Sequence, residues 1–398
     1  MDKLKERIKQ ADWWEITYLI IYGAVFTFEF LNTTMFEIIW PPRFGYIFLA
    51  STALYTLAKF IWHNTYTKKE MIWAGVILFA FLMPALLTEY RFLWYTGFLI
   101  VSAKDVEFDK ILKVYLVIGI TIMVAAFGAS QYGLIEDLVY IAYRYGIDFY
   151  RHSYGMVYPT DFAAHLFFGA LVAMVLFEKK QNTMMRVWIS ILISSVAILT
   201  ANAQTTMICM IGFLVLCLLE RLLRKYMRYM EKGLRWIPVI CAGLFISVSC
   251  LYNPNNQILL KLDDSLSGRL SISNKAFHLY DIRLFGQTIQ EIGNGRSTEY
   301  REDYFFLDDS YVRILLEYGL ILFVVVLAML ILISRKAMRY NRIVLMIALV
   351  AIGVHSIMEH HLIDLAYNPF LFSVFAILNQ DGQINRRDIC IEEKAKVG

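Results

Sequence analysis

With 398 residues, of which 59% are hydrophobic, 15% aromatic and 18% charged, the chain is too apolar for a soluble domain of ordinary composition. A mean hydropathy of +0.53 makes it an integral membrane protein, and its seven prolines, without a Ser/Gly-rich or acidic tract, exclude a disordered interdomain linker. The net charge of +4 identifies no partner, because membrane proteins distribute basic residues by topology. It gives no ground for nucleic-acid binding.

Met1 to Asp12 is too charged for the apolar region of a signal peptide, so the first apolar run reads as a retained span. A spanning helix needs about 20 mostly apolar residues. Such runs predict an all-α polytopic membrane protein with about twelve transmembrane helices, near 14–38, 44–62, 71–88, 90–103, 113–131, 159–178, 186–201, 205–221, 236–252, 310–334, 342–360 and 364–380. The fourth is short and the seventh is interrupted near Asn202, which sets the range at 10–12. With the N-terminus inside, 26 Lys and Arg fall on inner connections, and Lys59 can snorkel to join them. Ten fall outside, so both termini are expected to be cytoplasmic.

Outer connections at Trp40-Pro41-Pro42-Arg43, Thr88 to Arg91 and Asn202 to Gln204 read as tight reversals. Two outer segments are long, and long loops in compact proteins are usually functional or disordered. The segment 132–158 is rich in Tyr and Ile, which suits a helix lying in the membrane interface. The loop 253–309 has frequent apolar residues between Leu270 and Ile289, which suits an ordered, partly helical unit. The chain thus divides into a nine-span bundle over 1–252, the extracytoplasmic loop 253–309, three spans over 310–380 and a cytoplasmic tail 381–398.

Six of the ten outer cations lie in that loop: Lys261, Arg269, Lys275, Arg283, Arg296 and Arg301. Arg presents a planar fork that grips two phosphate oxygens at once. Arg151, followed by Gly155 and Pro159 at the entry to the sixth span, is one candidate for such a grip, with lipid headgroups as the plainer partner. Arg269, after Ser267-Gly268, and Arg283, after Asp281, are others. Paired acids at Asp308-Asp309 open the tenth span. One of them is explained by helix capping. The other, near the membrane surface, can accept a proton from a sugar hydroxyl, and Arg313 one turn on is the expected partner keeping one acid ionised.

The run His355, Glu359, His360, His361 and Asp364 has the residue types of a zinc site but matches no metalloprotease spacing, so no metal is assigned. Glu359 and His360 are kept as substrate-binding candidates. Glu29, inside the first span, is expected to face Arg91 or a polar interior. The five cysteines show no metal or disulfide spacing and read as small buried hydrophobes.

In order, Arg151-x-x-x-Gly155-x-x-x-Pro159, Ser267-Gly268-Arg269, and Asp308-Asp309-x-Tyr311 with Glu317-Tyr318-Gly319-Leu320 resemble segments of the O-antigen ligase/polymerase superfamily. The closest likeness is to its Wzy-like polymerases of capsule, O-antigen and exopolysaccharide assembly. The likeness covers roughly 145–325. The ligase branch has His where this chain has Asp308, which favours polymerase, and the family's usual Asn is Asp309 here.

That resemblance implies the membrane-embedded GT-C glycosyltransferase architecture and a metal-independent enzyme without cofactor in the bacterial cytoplasmic membrane. It implies undecaprenyl-diphosphate-linked oligosaccharide as donor and acceptor, with a flippase and a chain-length regulator as partners. Arg151, Arg269 and Arg283 would hold the diphosphate, Asp308 and Asp309 would act with Arg269 in catalysis, and Tyr311, Glu359 and His360 would contact substrate. A flippase for the same lipid-linked repeats and a related glycan ligase remain alternatives.

Overall fold

A computed structural model describes residues 12–378, apart from 37–42, 64, 89, 91, 145–146, 179–184, 187–188, 190, 194–195, 197–202 and 299–300. Both termini, the turn at Trp40-Pro41-Pro42, Arg91 and most of the expected seventh span therefore lie outside the described residues. The helices are α1 (Trp13–Asn32), α2 (Arg43–Trp62), α3 (Lys68–Leu87), α4 (Phe92–Ser102), α5 (Phe108–Gln131), α6 (Pro159–Phe177), α7 (Gln204–Leu234) and α8 (Ile237–Cys250). They continue with α9 (Gln257–Ser265), α10 (Arg269–Leu279), α11 (Ser310–Arg313), α12 (Leu320–Arg339) and α13 (Ile343–His355).

Among the described residues seven helices are long and apolar enough to cross a membrane: α1, α2, α3, α5, α6, the stretch Tyr229–Cys250 and α12. Shorter apolar helices cover α4, Thr206–Leu219 and α13. The chain is a mostly helical, multi-pass membrane protein. Its bundle has two ends. One carries the loop 253–309, and the other gathers ion pairs such as Lys110 with Glu15 (2.6 Å), Lys104 with Glu70 (2.6 Å) and Arg342 with Asp109 (3.0 Å) and Glu178 (3.1 Å). Lys59 does not snorkel. It is buried and donates to the carbonyls of Ser102 and Lys104, at and just past the end of α4, where a helix favours a cation.

Three expected elements take other forms. The segment 132–158 is no interfacial helix but contains a hairpin of β1 (Val139–Arg144) and β2 (Ile147–His152), paired antiparallel with Tyr140 opposite Arg151. Its strands are dense in β-branched and aromatic residues, Val139-Tyr140-Ile141 in β1 and Phe149-Tyr150 in β2, a composition that favours extended backbone over helix. The tenth span is not continuous. After α11 it passes through a π-helical turn, Ile314–Tyr318, and restarts at Gly319.

The predicted twelfth helix is absent: residues 356–378 form turns and a 3₁₀ segment, Phe370–Val374. This irregular strand of chain runs through the bundle from Ser356, bonded to Ser310, to Ile377, which pairs beside Glu107 at the opposite end. Lys336 Nζ collects the carbonyls of Ser373, Val374 and Ala376 at 2.7–3.0 Å. Non-helical backbone at membrane depth is tolerated where protein encloses it and satisfies its polar groups, and this segment is almost wholly buried.

The loop has its own core. Leu270, Ala276, Ile289, Phe305 and Leu307 pack with Phe245 of α8 and with Val312 and Leu316. At its far side Gly286 and Gly319, both with φ in the left-handed region (+80° and +95°), bring two backbones into contact. A Cβ on Gly286 would stand 2.1 Å from the Glu317 carbonyl, and one on Gly319 2.3 Å from the Gly286 amide. The motif around Glu317-Tyr318-Gly319 thus docks the loop: Gln287 donates to the Glu317 carbonyl and Leu320 to that of Arg283.

Candidate functional site

Four stretches meet at the loop end of the bundle. The hairpin supplies the first. Tyr140 and Arg151 are register partners, so both project from the same face, while the neighbouring pair Ile141 and Tyr150 is turned outward and exposed. The chain leaving β2 is fixed by Asp137, which accepts from the Tyr154 amide (2.7 Å) and contacts His152 Nδ1 (2.7 Å). Gly155 then passes so close to α5 that a Cβ would sit 2.5 Å from the Ala126 carbonyl. Its own carbonyl accepts from Met35, and Pro159 opens α6 at its first turn.

The second stretch is the start of α10. Asp263, from the preceding helix, accepts the Leu270 and Ser271 amides at 2.9 and 3.1 Å. It thereby satisfies the helix N-terminus, a structural role. Arg269, the first residue of α10, reaches Asp308 Oδ2 at 3.1 Å and the carbonyls of Ser267 and Met358.

The third is extended backbone from Tyr304 to Asp309. Side chains alternate along it. Phe305, Leu307 and Asp309 are buried at 4%, 0% and 1% exposure, while Tyr304, Phe306 and Asp308 face a cavity. The fourth is the chain after α13, which brings Glu359 and His360 beneath.

The cavity, of about 200 Å³, is lined by Arg151, Arg269, Asp308, Glu359 and His360 together with Tyr140, Tyr158, Thr160, Asp161, Asn294, Tyr304 and Phe306. Five of the residues singled out in the sequence therefore share one wall system, drawn from four separate segments. Burial disfavours the Arg269 charge, and Asp308 and then Glu359 hold it above its ordinary value.

The remaining candidates lie elsewhere. Asp309 caps α11, its Oδ1 accepting from Val312 N (2.7 Å) and its Oδ2 from Ser273 Oγ (2.9 Å). Burial raises its carboxyl to about 7. Tyr311 donates to the Gly353 carbonyl deep in the bundle (2.5 Å). Arg313 is not the partner of the Asp308-Asp309 pair. Its guanidinium binds Glu317 (2.8 Å), Glu291 (2.7 Å) and the Leu307 carbonyl (2.8 Å). Arg283 lines a different recess of about 510 Å³ with Asp281, Gly286 and Gln287. Glu29 accepts from Tyr95. Cys209 and Cys217 are buried, whereas Cys250 is exposed.

Behind the cavity a column of stacked rings runs into the bundle: His361 on Tyr367 (3.6 Å between centroids), Tyr367 on His165 (4.1 Å) and His165 on Phe30 (3.9 Å). His165 also meets Thr33 Oγ1 at 2.8 Å. The sequence reading passed over Tyr304 and Phe306, although the two-residue alternation Tyr304, Phe306, Asp308 was visible in it. Nothing local pointed to Tyr140 as the neighbour of Arg151, because cross-strand register is a tertiary fact.

No family model, no curated protein and no solved structure matches the chain.

Proposed function

We propose that the protein is a polysaccharide polymerase. It joins undecaprenyl-diphosphate-linked oligosaccharide repeats at the outer face of the bacterial cytoplasmic membrane, with about twelve membrane crossings, both termini inside and the loop 253–309 outside. The observation that carries this reading is the meeting of two guanidiniums, Arg151 and Arg269, with the Asp308 carboxylate in one cavity. The basic residues Lys104, Lys110, Lys336 and Arg342 at the opposite end fit the inner side of such a membrane protein.

Glycosyl transfer from a lipid diphosphate breaks the bond between the sugar anomeric carbon and the diphosphate oxygen, which departs with the electron pair. Two arginine forks placed where that charge develops stabilise it in a partly desolvated site. The acceptor hydroxyl forms the new bond to the anomeric carbon and gives its proton to a carboxylate. Asp308 pairs with Arg269. An entering diphosphate competes for that guanidinium, and its arrival releases Asp308 to act as the base. Tyr140, Tyr158, Tyr304 and Phe306 offer flat faces to sugar rings.

Purified protein in vesicles, given lipid-linked repeats alone, should build a ladder of polymer. A ligase would build none, and a flippase would move repeats without joining them. Arg151→Lys and Arg269→Lys keep the charge and lose the fork. Each is expected to lower polymerisation at least about 100-fold at unchanged membrane level, and normal ladders from both would overturn the assignment.

A further inference from the structure

We infer that His360, His361 and Asp364, with Asp161 as a fourth donor, form a binding site for one divalent metal ion of the zinc class on the floor of the cavity. The ligand atoms of His360, His361 and Asp364 all lie within 4.8 Å of one another. His361 Nε2 stands 4.0 Å from Asp161 Oδ1 and 3.8 Å from Glu359 Oε2, too far for hydrogen bonds. Donors sharing a tetrahedral ion with bonds of about 2.0–2.2 Å stand roughly 3.3–3.6 Å apart, so side-chain shifts of about an ångström would close the set.

The second observation is the imidazole of His361 itself. Its side chain is fully buried, and neither ring nitrogen has a hydrogen-bond partner. His165 of the column and His355, stacked on Phe167, are buried too but each uses one nitrogen, His165 toward Thr33 and His355 toward Thr206. His360 Nδ1 is also without a partner. Buried polar nitrogens are costly when unsatisfied, and buried carboxylates need a counter-charge or a metal.

Asp161, Glu359 and Asp364 bring three carboxyls close to these rings. Arg269 makes its ion pair with Asp308, and Arg313 makes its pairs with Glu291 and Glu317. Asp364 Oδ1 accepts the Ala366 amide at 2.9 Å, which holds the carboxylate in place.

Two imidazoles and a carboxylate select a borderline ion such as Zn²⁺ over Mg²⁺ or Ca²⁺, which prefer oxygen. An ion here would bind the segment after α13 to the first turn of α6, and so hold Glu359 and His360 under the cavity. The site stands apart from the transfer reading, because its occupancy can be measured without any substrate.

The test uses the full chain in detergent, stripped with a chelator, passed through gel filtration and titrated with Zn²⁺ and, separately, Co²⁺. One ion per chain by elemental analysis is expected, with a rise in melting temperature on Zn²⁺ addition and a Co²⁺ absorption band of nitrogen and oxygen ligation. His361→Gln and Asp364→Asn, the latter able to keep the Ala366 bond, should each weaken binding at least about tenfold. His278→Gln, at an exposed histidine whose Nδ1 meets the Asn274 carbonyl, should bind as wild type. If wild type takes up no stoichiometric ion, shows no Co²⁺ band and melts at the same temperature with and without Zn²⁺, the site does not exist. That result needs no variant and leaves the polymerase reading untouched.

Discussion

Asp308 and Asp309 are neighbours in the chain, yet their carboxylates serve opposite sides of it. Asp308 meets the Arg269 guanidinium at 3.1 Å on the cavity wall, and Asp309 is shut inside a helix cap with Val312 and Ser273. The pleat of an extended backbone makes this division, since successive side chains point in opposite directions.

The two acids should therefore respond differently to the same change. Asp308→Asn is expected to lower polymer formation at least about 100-fold, the scale of losing a positioned base. Asp309→Asn keeps a good cap and should retain activity within a few-fold. Ladder assays on both, with membrane levels measured in parallel, check the division. Equal loss from both would refute it.

Stability should fall as pH rises through the range set by Asp309. Burial raises its carboxyl from 3.8 to about 7 in the folded protein, so the folded state holds this proton more tightly than the unfolded chain. The stabilisation is complete below about pH 4 and is lost as pH approaches 7, at up to about 1.4 kcal/mol per pH unit. Thermal melts in detergent from pH 4 to 8 should show this decline in wild type and a shallower one in Asp309→Asn.

Arg313 is expected to matter for folding and not for chemistry. Its guanidinium is enclosed by Glu291, Glu317 and the Leu307 carbonyl. Arg313→Met would leave two acids without their counter-charge, a loss of roughly 3–5 kcal/mol for a broken buried pair. Membrane level and melting temperature should both drop. Adding Glu317→Gln to Arg313→Met should recover part of the loss.

The proposed orientation predicts labelling from one side. In a cysteine-free background, a cysteine at Arg301, an exposed loop residue, should react with an impermeant maleimide in intact cells. A cysteine at Lys232, near the opposite end of the bundle, should react only after permeabilisation. The reverse pattern would place the cavity inside the cell.

The apolar runs alone revealed a multi-pass helical protein, and most helix positions followed from them, because burying or lipid-facing about 20 residues leaves a long local signature. Arg151, Arg269, Asp308, Glu359 and His360 were also legible as candidates, since charged residues beside apolar spans stand out. Sequence could not show that they share a cavity. Their meeting depends on hairpin register, on a loop docked by two glycines, and on the alternation that turns Asp308 one way and Asp309 the other. Nor could it reveal the irregular crossing at 356–378, whose composition suits a helix. Only contacts from distant segments, such as Lys336 on the carbonyls of Ser373 to Ala376, satisfy that backbone. Local patterns fix which residues seek burial, whereas the partners that satisfy their polar groups are chosen by packing.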